Sequence, residues 1–352
     1  MTSLKVAVIG CGTIARTQHI PAYNRNEAAE IKYVIDVDLQ RARSAAELCD
    51  GAIPLADYRE MLADEEVAAV SVCTPNAEHA PIAIDCLRAG KHVLCEKPAA
   101  ATAQDARRMQ EEARRSGRML SIGVVNRFNS SVNRIKAMIE QGELGRLYHI
   151  YGSFRAHRSI PGLGGPFTTK ALSGGGVLID WGVHFLDLIL YASGRPQVRT
   201  VSGATHGWLG RDLKEYAYVD MWAGPPRYDG VYDVEDFVTA FIRTSGPTIT
   251  LNGAWAQNIG ESAMFVEFLG DKGGVKLDYG GGFTYYTSRD GALLEVKPSF
   301  RSVNAFQEEI DSFLDSVRSG VPNRAHIDET IATSEVMEAI YQSAAQGKEV
   351  RL

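Results

Sequence analysis

Three things are scarce in this sequence, and each scarcity closes off a class of function. Cysteine is the first: five residues in 352, Cys11, Cys49, Cys73, Cys86 and Cys95, all within the first hundred positions. Their spacings match no zinc pattern, so no metal site is expected and buried reduced thiols are the reading that follows. Long apolar sequence is the second. No run approaches the roughly 20 residues that a membrane-spanning helix needs. Residues 1–5 lead straight into a strand without a signal-peptide core, which places the chain in the cytoplasm and away from membranes. Basic excess is the third. The formal net charge is -6 with no long basic run, which disfavours nucleic acid and anionic lipid as partners and leaves a small molecule.

What is present is ordinary for a globular chain, with 45% hydrophobic and 23% charged residues. At this length two domains are expected. No internal repeat or low-complexity tract interrupts them.

Residues 5–9 read as a short buried strand running into Gly10-Cys11-Gly12-Thr13-Ile14-Ala15, after which a helix opens. In that context G-x-G-x-x-A is a dinucleotide turn. The first glycine permits the tight bend, the second lets backbone approach a pyrophosphate, and the small last residue lets helix and strand pack closely. Gly10, Gly12, Thr13 and Ile14 are therefore candidate cofactor contacts at a helix N-terminus. Asp36 ends the next strand, 31–35, and lies 21 positions after Ala15, near the spacing for a carboxylate that grips the adenosine ribose. It favours NAD over NADP, although Arg41 and Arg43 follow closely.

Strand and helix continue to alternate. Strand 67–73 ends in Thr74-Pro75-Asn76, with His79 read as starting and orienting the helix over 80–89. Strand 92–95 ends in Glu96-Lys97-Pro98. Proline fixes its own φ and pushes the preceding residue into extended geometry, so Lys97 is held in one direction. Ligands of open α/β sheets lie outside the carboxyl ends of the strands, which makes Thr74, Asn76, His79, Glu96 and Lys97 candidates at the cofactor. A helix over 102–115 and a strand over 120–124 close a first domain, 1–124. The fold class is α/β: an N-terminal Rossmann domain, then a C-terminal α/β domain, 125–352.

In that second domain a helix over 131–141 follows Asn126-Arg127-Phe128, and strand 147–156 delivers Arg155, His157 and Arg158 to its end. That cluster reads either as a solvated edge or as a receptor for an anionic substrate group. Gly162-Leu163-Gly164-Gly165-Pro166 reads as a mobile loop, with Lys170 just beyond it. The segment from Ser173 to Leu188 begins in glycines and becomes an apolar helix on which Asp180 and His184, at i and i+4, share a face. Short strands at 198–204, 233–243, 248–255, 263–269 and 274–277 suit an antiparallel sheet. Helices over 303–319 and 329–345 end the chain.

Gly10 to Ala15, Thr74-Pro75-Asn76 with His79, Gly90-Lys91-His92-Val93 running into Glu96-Lys97-Pro98, and Gly174 to His184 together resemble the Gfo/Idh/MocA oxidoreductase family. The similarity spans about Val6 to Leu352. It implies a Rossmann domain joined to an α/β domain whose open, mostly antiparallel sheet carries the substrate site and often the oligomer contact. It also implies oxidation or reduction of sugars, inositols and related polyols with NAD or NADP.

Such hydride transfer needs a base, a cation near the developing alkoxide, and a means of holding the carbon in place. Lys97, Asp180 and His184 are the catalytic candidates. With an unperturbed pKa near 6.5, His184 suits the proton acceptor. Lys97 would hold the reacting oxygen, and Asp180 would accept from a neighbouring hydroxyl. The reversed assignment, with Lys97 as the base, stays open at this point. Asp187 either orients the imidazole or sits on the helix surface. Substrate contacts are expected from Lys97, Arg127, Arg155, His157, Lys170, Asp180 and His184. Hydride transfer here needs no metal, and a homodimer or homotetramer is expected. Two rival readings share the fold: a redox-assisted hydrolase or lyase with tightly bound NAD, and a non-catalytic NAD-dependent sensor.

Overall fold

In a computed structural model that describes residues 3–352 the chain forms two units. One holds the described residues up to Phe128 and also Val303–Ile331; the other holds Asn129–Ser302 and Ala332–Leu352. Met1 and Thr2, part of the stretch read as leading into the first strand, lie outside the described residues.

Among the described residues, six parallel strands make the sheet of the first unit: β1 (Leu4–Ile9), β2 (Ala29–Ile35), β3 (Ile53–Leu55), β4 (Val67–Val72), β5 (His92–Glu96) and β6 (Leu120–Gly123). Their order is β3-β2-β1-β4-β5-β6. The chain winds outward from β1 to β3, then crosses back to β4, so the order reverses between β1 and β4. Ligands of such sheets bind at that reversal, beyond the carboxyl ends of the strands. The strands are runs of Val, Ile and Ala because both faces are covered. Ala7, Val70, Val93 and Cys95 face one core, with the helices Asn76–Arg88 and Ala103–Ser116. Val6, Val8, Ala69 and Leu94 face the other, with Ile20 and Tyr23.

That second core also takes in a segment from far beyond the expected boundary at residue 124. Ile310, Phe313 and Leu314 of the helix Ala305–Ser319 are buried in it. Spaced i, i+3 and i+4, they make an apolar stripe, and each such side chain contributes about 1.5–3 kcal/mol on burial. The segment Val303–Ile331 therefore returns to the first unit.

The second unit is built on nine strands among the described residues: β7 (Leu147–Arg155), β8 (Val198–His206), β9 (Phe237–Thr244), β10 (Thr248–Ala254), β11 (Ala263–Gly270), β12 (Gly273–Asp278), β13 (Phe283–Arg289), β14 (Ala292–Val296) and β15 (Val350–Arg351). Their order is β14-β13-β12-β11-β7-β10-β9-β8-β15. Pairing is antiparallel except where β7 lies parallel to β10. The strands alternate as half-buried strands do. Ile150 and Phe154, Ile249 and Leu251, and Val266 and Phe268 enter the core with the apolar helix Val183–Ala192. Tyr151, Phe241 and Phe265, out of step with them, are half-buried.

Three expectations change here. β13, β14 and β15 were not read from sequence; β14 is exposed enough, with Leu293 at 91%, to lack the alternation that marks a half-buried strand. The glycine-rich stretch at 162–166, read as a mobile loop, is packed, with residues 161–165 buried. A Cβ on Gly164, at φ +75, would stand 2.0 Å from the Arg227 carbonyl oxygen, so glycine is what permits this contact. The helical run Lys170–Ala192 is long and apolar enough to cross a membrane by length and composition, contrary to the reading above, but 89% of its most apolar window is buried inside the protein.

Candidate active site

The glycine turn lies at the carboxyl end of β1. Gly10 has φ +90, and a Cβ there would stand 2.6 Å from the Cys73 carbonyl oxygen at the end of β4. Any other residue would force the two strand ends apart. Gly12 differs: a Cβ would meet nothing within 4 Å, so this position opens onto free space. Thr13 is exposed and Ile14 partly so.

Asp36, just past β2, is buried and supports this turn directly. Its Oδ2 accepts the Cys11 N–H at 2.9 Å and its Oδ1 accepts the Asp38 N–H at 2.9 Å. Arg41 stands beside it, with Nη1 3.4 Å from both carboxylate oxygens. An open glycine, a bracing carboxylate and a neighbouring helix start suit a dinucleotide. Burial, with the Asp36 charge adding to it, pushes the Cys11 thiol up to about 12.

At the tips of β4 and β5 the side chains divide into those that face outward and those that hold the fold. Thr74 Oγ1 is a buried hydroxyl oxygen without a hydrogen-bond partner, the kind of group a bound ligand would satisfy. Asn76 begins the helix Asn76–Arg88 and is partly exposed. His79 is fully buried, with Nδ1 2.8 Å from the Pro98 oxygen and Nε2 2.9 Å from the Thr74 oxygen. It ties the β4 and β5 tips together. Burial lowers its pKa, against the pull of the two carbonyls.

Glu96 is also turned inward. Its Oε1 lies 2.9 Å from His19 Nε2 and its Oε2 accepts the Lys97 N–H at 3.1 Å. Lys97 itself is partly exposed.

Arg127 was read as a substrate contact, and the structure gives it another task. It is 1% exposed, and its guanidinium donates to the Arg324 oxygen at 2.7 Å and the Glu329 oxygen at 2.9 Å. It fastens the returning segment to the first unit.

The second unit carries the other candidates. The glycines before Asp180 approach Glu235: a Cβ on Gly176 would lie 1.9 Å from the Glu235 carbonyl oxygen. The Glu235 carboxylate accepts the N–H groups of Gly176 at 2.9 Å and Leu178 at 3.1 Å, and the Tyr341 hydroxyl at 2.7 Å. This helix start is thus occupied by the protein's own carboxylate. Burial raises the pKa of Glu235, and those hydrogen bonds oppose the rise.

The segment is not the regular α-helix that the spacing assumed. Leu178–Gly182 is a π turn that contains Asp180, and His184 lies in the α-helix Val183–Ala192 that follows. Such turns often occur at functional sites. Asp180 is buried, and its Oδ2 accepts the indole N–H of fully buried Trp255 at 3.2 Å. Asp187 is buried and accepts the Thr333 hydroxyl at 3.0 Å, so it does not lie on the helix surface.

Arg155, at the end of β7, donates to Ser153 Oγ at 3.2 Å. His157 Nδ1 lies 3.1 Å from the Gln257 carbonyl oxygen. Arg158 reaches Asn258 and stands over the Tyr216 ring at 5.7 Å. Lys170 is exposed, and its backbone N–H donates to Asp233 at 2.6 Å. Because β7 and β10 run parallel, Arg155, His157, Trp255 and Gln257 gather at one end of the sheet.

Sequence reasoning missed His19, Ser71, Glu235 and Gln257. His19 had one available signal, its place four residues after Ala15 in the helix that leaves the glycine turn.

Residues 4–124 match the family described as an oxidoreductase family with an NAD-binding Rossmann fold, and residues 132–276 match the GFO/IDH/MocA C-terminal domain. The chain is 32% identical to D-glucoside 3-dehydrogenase of Escherichia coli (strain K12), over 100% of this chain and 99% of that one. It is 28% identical to inositol 2-dehydrogenase of Arthrobacter sp. (strain FB24), over 99% and 96%. Among solved structures, that of GenD2 from gentamicin A biosynthesis in complex with NAD is similar with a TM-score of 0.80 and 27% identity, covering 100% of this chain and 97% of the other.

Proposed function

The chain belongs to the GFO/IDH/MocA oxidoreductase family, and from that premise we propose that it moves a hydride between a nicotinamide cofactor and a secondary hydroxyl or ketone of a sugar, inositol or related polyol. The observation that carries this reading is the turn at Gly10–Gly12, closed to a side chain at one glycine and open at the other, on the same parallel sheet that presents Lys97. The relatives named for a glucoside and an inositol support the substrate class.

When bound, the nicotinamide supplies the hydride acceptor or donor. The residues of the chain supply the rest. Gly12 and Thr13 offer backbone to the phosphates, Asp36 offers a carboxylate to the ribose, and Thr74 and Asn76 lie at the next strand tip. Lys97 holds the reacting oxygen and stabilises its developing negative charge. His184 takes the hydroxyl proton, and Asp180 accepts from an adjacent hydroxyl so that a polyol is oriented by two of its groups. Arg155, His157 and Lys170 are read as outer substrate contacts.

The Asp36 carboxylate supports NAD over NADP, since a negative charge there would repel a 2′-phosphate. A homodimer or homotetramer is supported by the outward face of the second sheet, where the Tyr151 and Phe265 rings lie 5.7 Å apart and half-buried.

The test is absorbance at the NADH band with NAD and, in parallel, NADP, against inositols, free hexoses, glucosides, sugar acids and sugar phosphates. A rise with one class supports the proposal. Saturable cofactor binding without turnover of any of them in either direction would count against it.

A further inference from the structure

Beneath Lys97 lies a continuous chain of buried hydrogen bonds that none of the roles above uses. Tyr23 Oη is 2.8 Å from Ser71 Oγ, Ser71 Oγ is 3.1 Å from His19 Nδ1, and His19 Nε2 is 2.9 Å from Glu96 Oε1. Glu96 Oε2 then accepts the backbone N–H of Lys97 at 3.1 Å. All four side chains are buried: Tyr23 and His19 at 1% exposure, Ser71 at 0% and Glu96 at 7%. They come from the helix Ile20–Arg25, the π turn Ala15–His19, β4 and β5.

Counting donors gives the chain a direction. An ionised Glu96 can only accept, so Nε2 of His19 carries a hydrogen. Burial pushes the Tyr23 phenol well up, so it keeps its proton and donates to Ser71. The Ser71 hydroxyl then donates to Nδ1. With its hydrogen on Nε2, the His19 ring satisfies every group.

The end of this chain is a buried carboxylate pressed against the peptide of Lys97. Burial works against its ionisation, and the hydrogen bond from His19 with the nearby positive charge outweighs that, so its pKa is lowered. Its charged and titratable surroundings are His19 and Lys97, and its field also reaches His79, Cys73 and Cys95. The network thus ends on the backbone of the residue whose side chain stands at the strand tip.

We propose that His19 is a positioning residue: by donating to Glu96 it keeps that carboxylate fixed against the Lys97 peptide, and so sets the place and reactivity of the Lys97 amine. The consequence for turnover rests on the catalytic reading of Lys97, whereas the placement does not.

The test therefore reads the amine itself. Lys97 is acylated with acetic anhydride in the intact protein at fixed pH, and its rate is taken relative to exposed Lys297 by peptide mass spectrometry. Variants His19→Asn, His19→Gln and Glu96→Gln are compared, each first shown by circular dichroism and melting to be folded. Asparagine places its amide near Nδ1 and loses Glu96; glutamine places it near Nε2 and keeps the donor. Loss of the carboxylate's charge, or of the donor that fixes it, frees the Lys97 side chain for attack, so Glu96→Gln and His19→Asn are expected to raise the Lys97 rate about threefold or more, while His19→Gln stays near wild type. An unchanged rate in folded Glu96→Gln and His19→Asn, or an equal rise in His19→Gln, overturns the proposal. Neither result depends on whether any sugar is turned over. If a substrate is found, His19→Asn lowers kcat with little change in the KM for NAD, and His19→Gln restores it.

Discussion

Trp255, fully buried after β10, donates its indole N–H to Asp180 Oδ2 across 3.2 Å. The bond joins the end of a sheet strand to the π turn ahead of His184, and it holds a carboxylate that the sequence offers only as a spacing. Trp255→Phe keeps most of the ring but removes the donor. The loss expected is about 1–3 kcal/mol of stability, the cost of a buried acceptor losing one of its donors, together with reduced turnover. Urea unfolding checks the first and kcat the second; an unchanged midpoint would show that Asp180 does not need this bond.

The two glycines of the cofactor turn make opposite predictions. Gly10→Ala places a Cβ against the Cys73 carbonyl at φ +90, so stability falls by about 1–3 kcal/mol or more. Gly12→Ala meets no protein atom, so melting is nearly unchanged while the affinity for NAD falls. Differential scanning fluorimetry with and without NAD separates the two cases.

Asp36 supports the turn through Cys11 and also stands beside Arg41. Asp36→Ala removes the carboxylate and leaves the guanidinium. NAD affinity is expected to fall, and the ratio of NADP to NAD affinity to rise by about tenfold, as loss of one repulsive charge implies. Fluorescence titration with each cofactor measures it. An unchanged ratio would remove Asp36 as the basis of cofactor preference.

His92 gives a pH dependence of defined sign. Its Nδ1 accepts the Met119 N–H at 3.0 Å, and burial, with Arg118 adding to it, lowers its pKa from 6.5 to about 4. A histidine whose folded pKa lies below its unfolded value costs stability as the unfolded state takes up the proton first. The folded protein is expected to lose stability between pH 6.5 and about 4. His92→Asn, which can still accept from Met119, flattens that part of the profile. Parallel acid limbs in the two proteins would show that other groups control it.

Much of the first unit was legible because its signals are local: a glycine turn, an acid at the next strand tip, and a lysine before a proline. What escaped was set by distance along the chain. The helix carrying Ile310, Phe313 and Leu314 shows an apolar stripe, but nothing in that stripe says which of two cores it enters. His19 and Glu96 are 77 positions apart, and Glu235 meets Gly176 from 59 away. Arg127 looked like a substrate cation because its carbonyl partners, Arg324 and Glu329, come from the far end of the sequence. The glycines at 162–165 looked like a loop free to move because their close neighbours, Ala223 and Arg227, lie in a stretch with no regular element to predict.

The proposed function turns on Lys97 acting in hydride transfer to a nicotinamide. The direct measurement compares wild type with Lys97→Ala at the NADH absorbance band, using the best substrate found, with NAD affinity measured on both proteins. Loss of kcat by about a hundredfold or more with NAD affinity retained is the predicted result. Near-normal turnover by Lys97→Ala would contradict it.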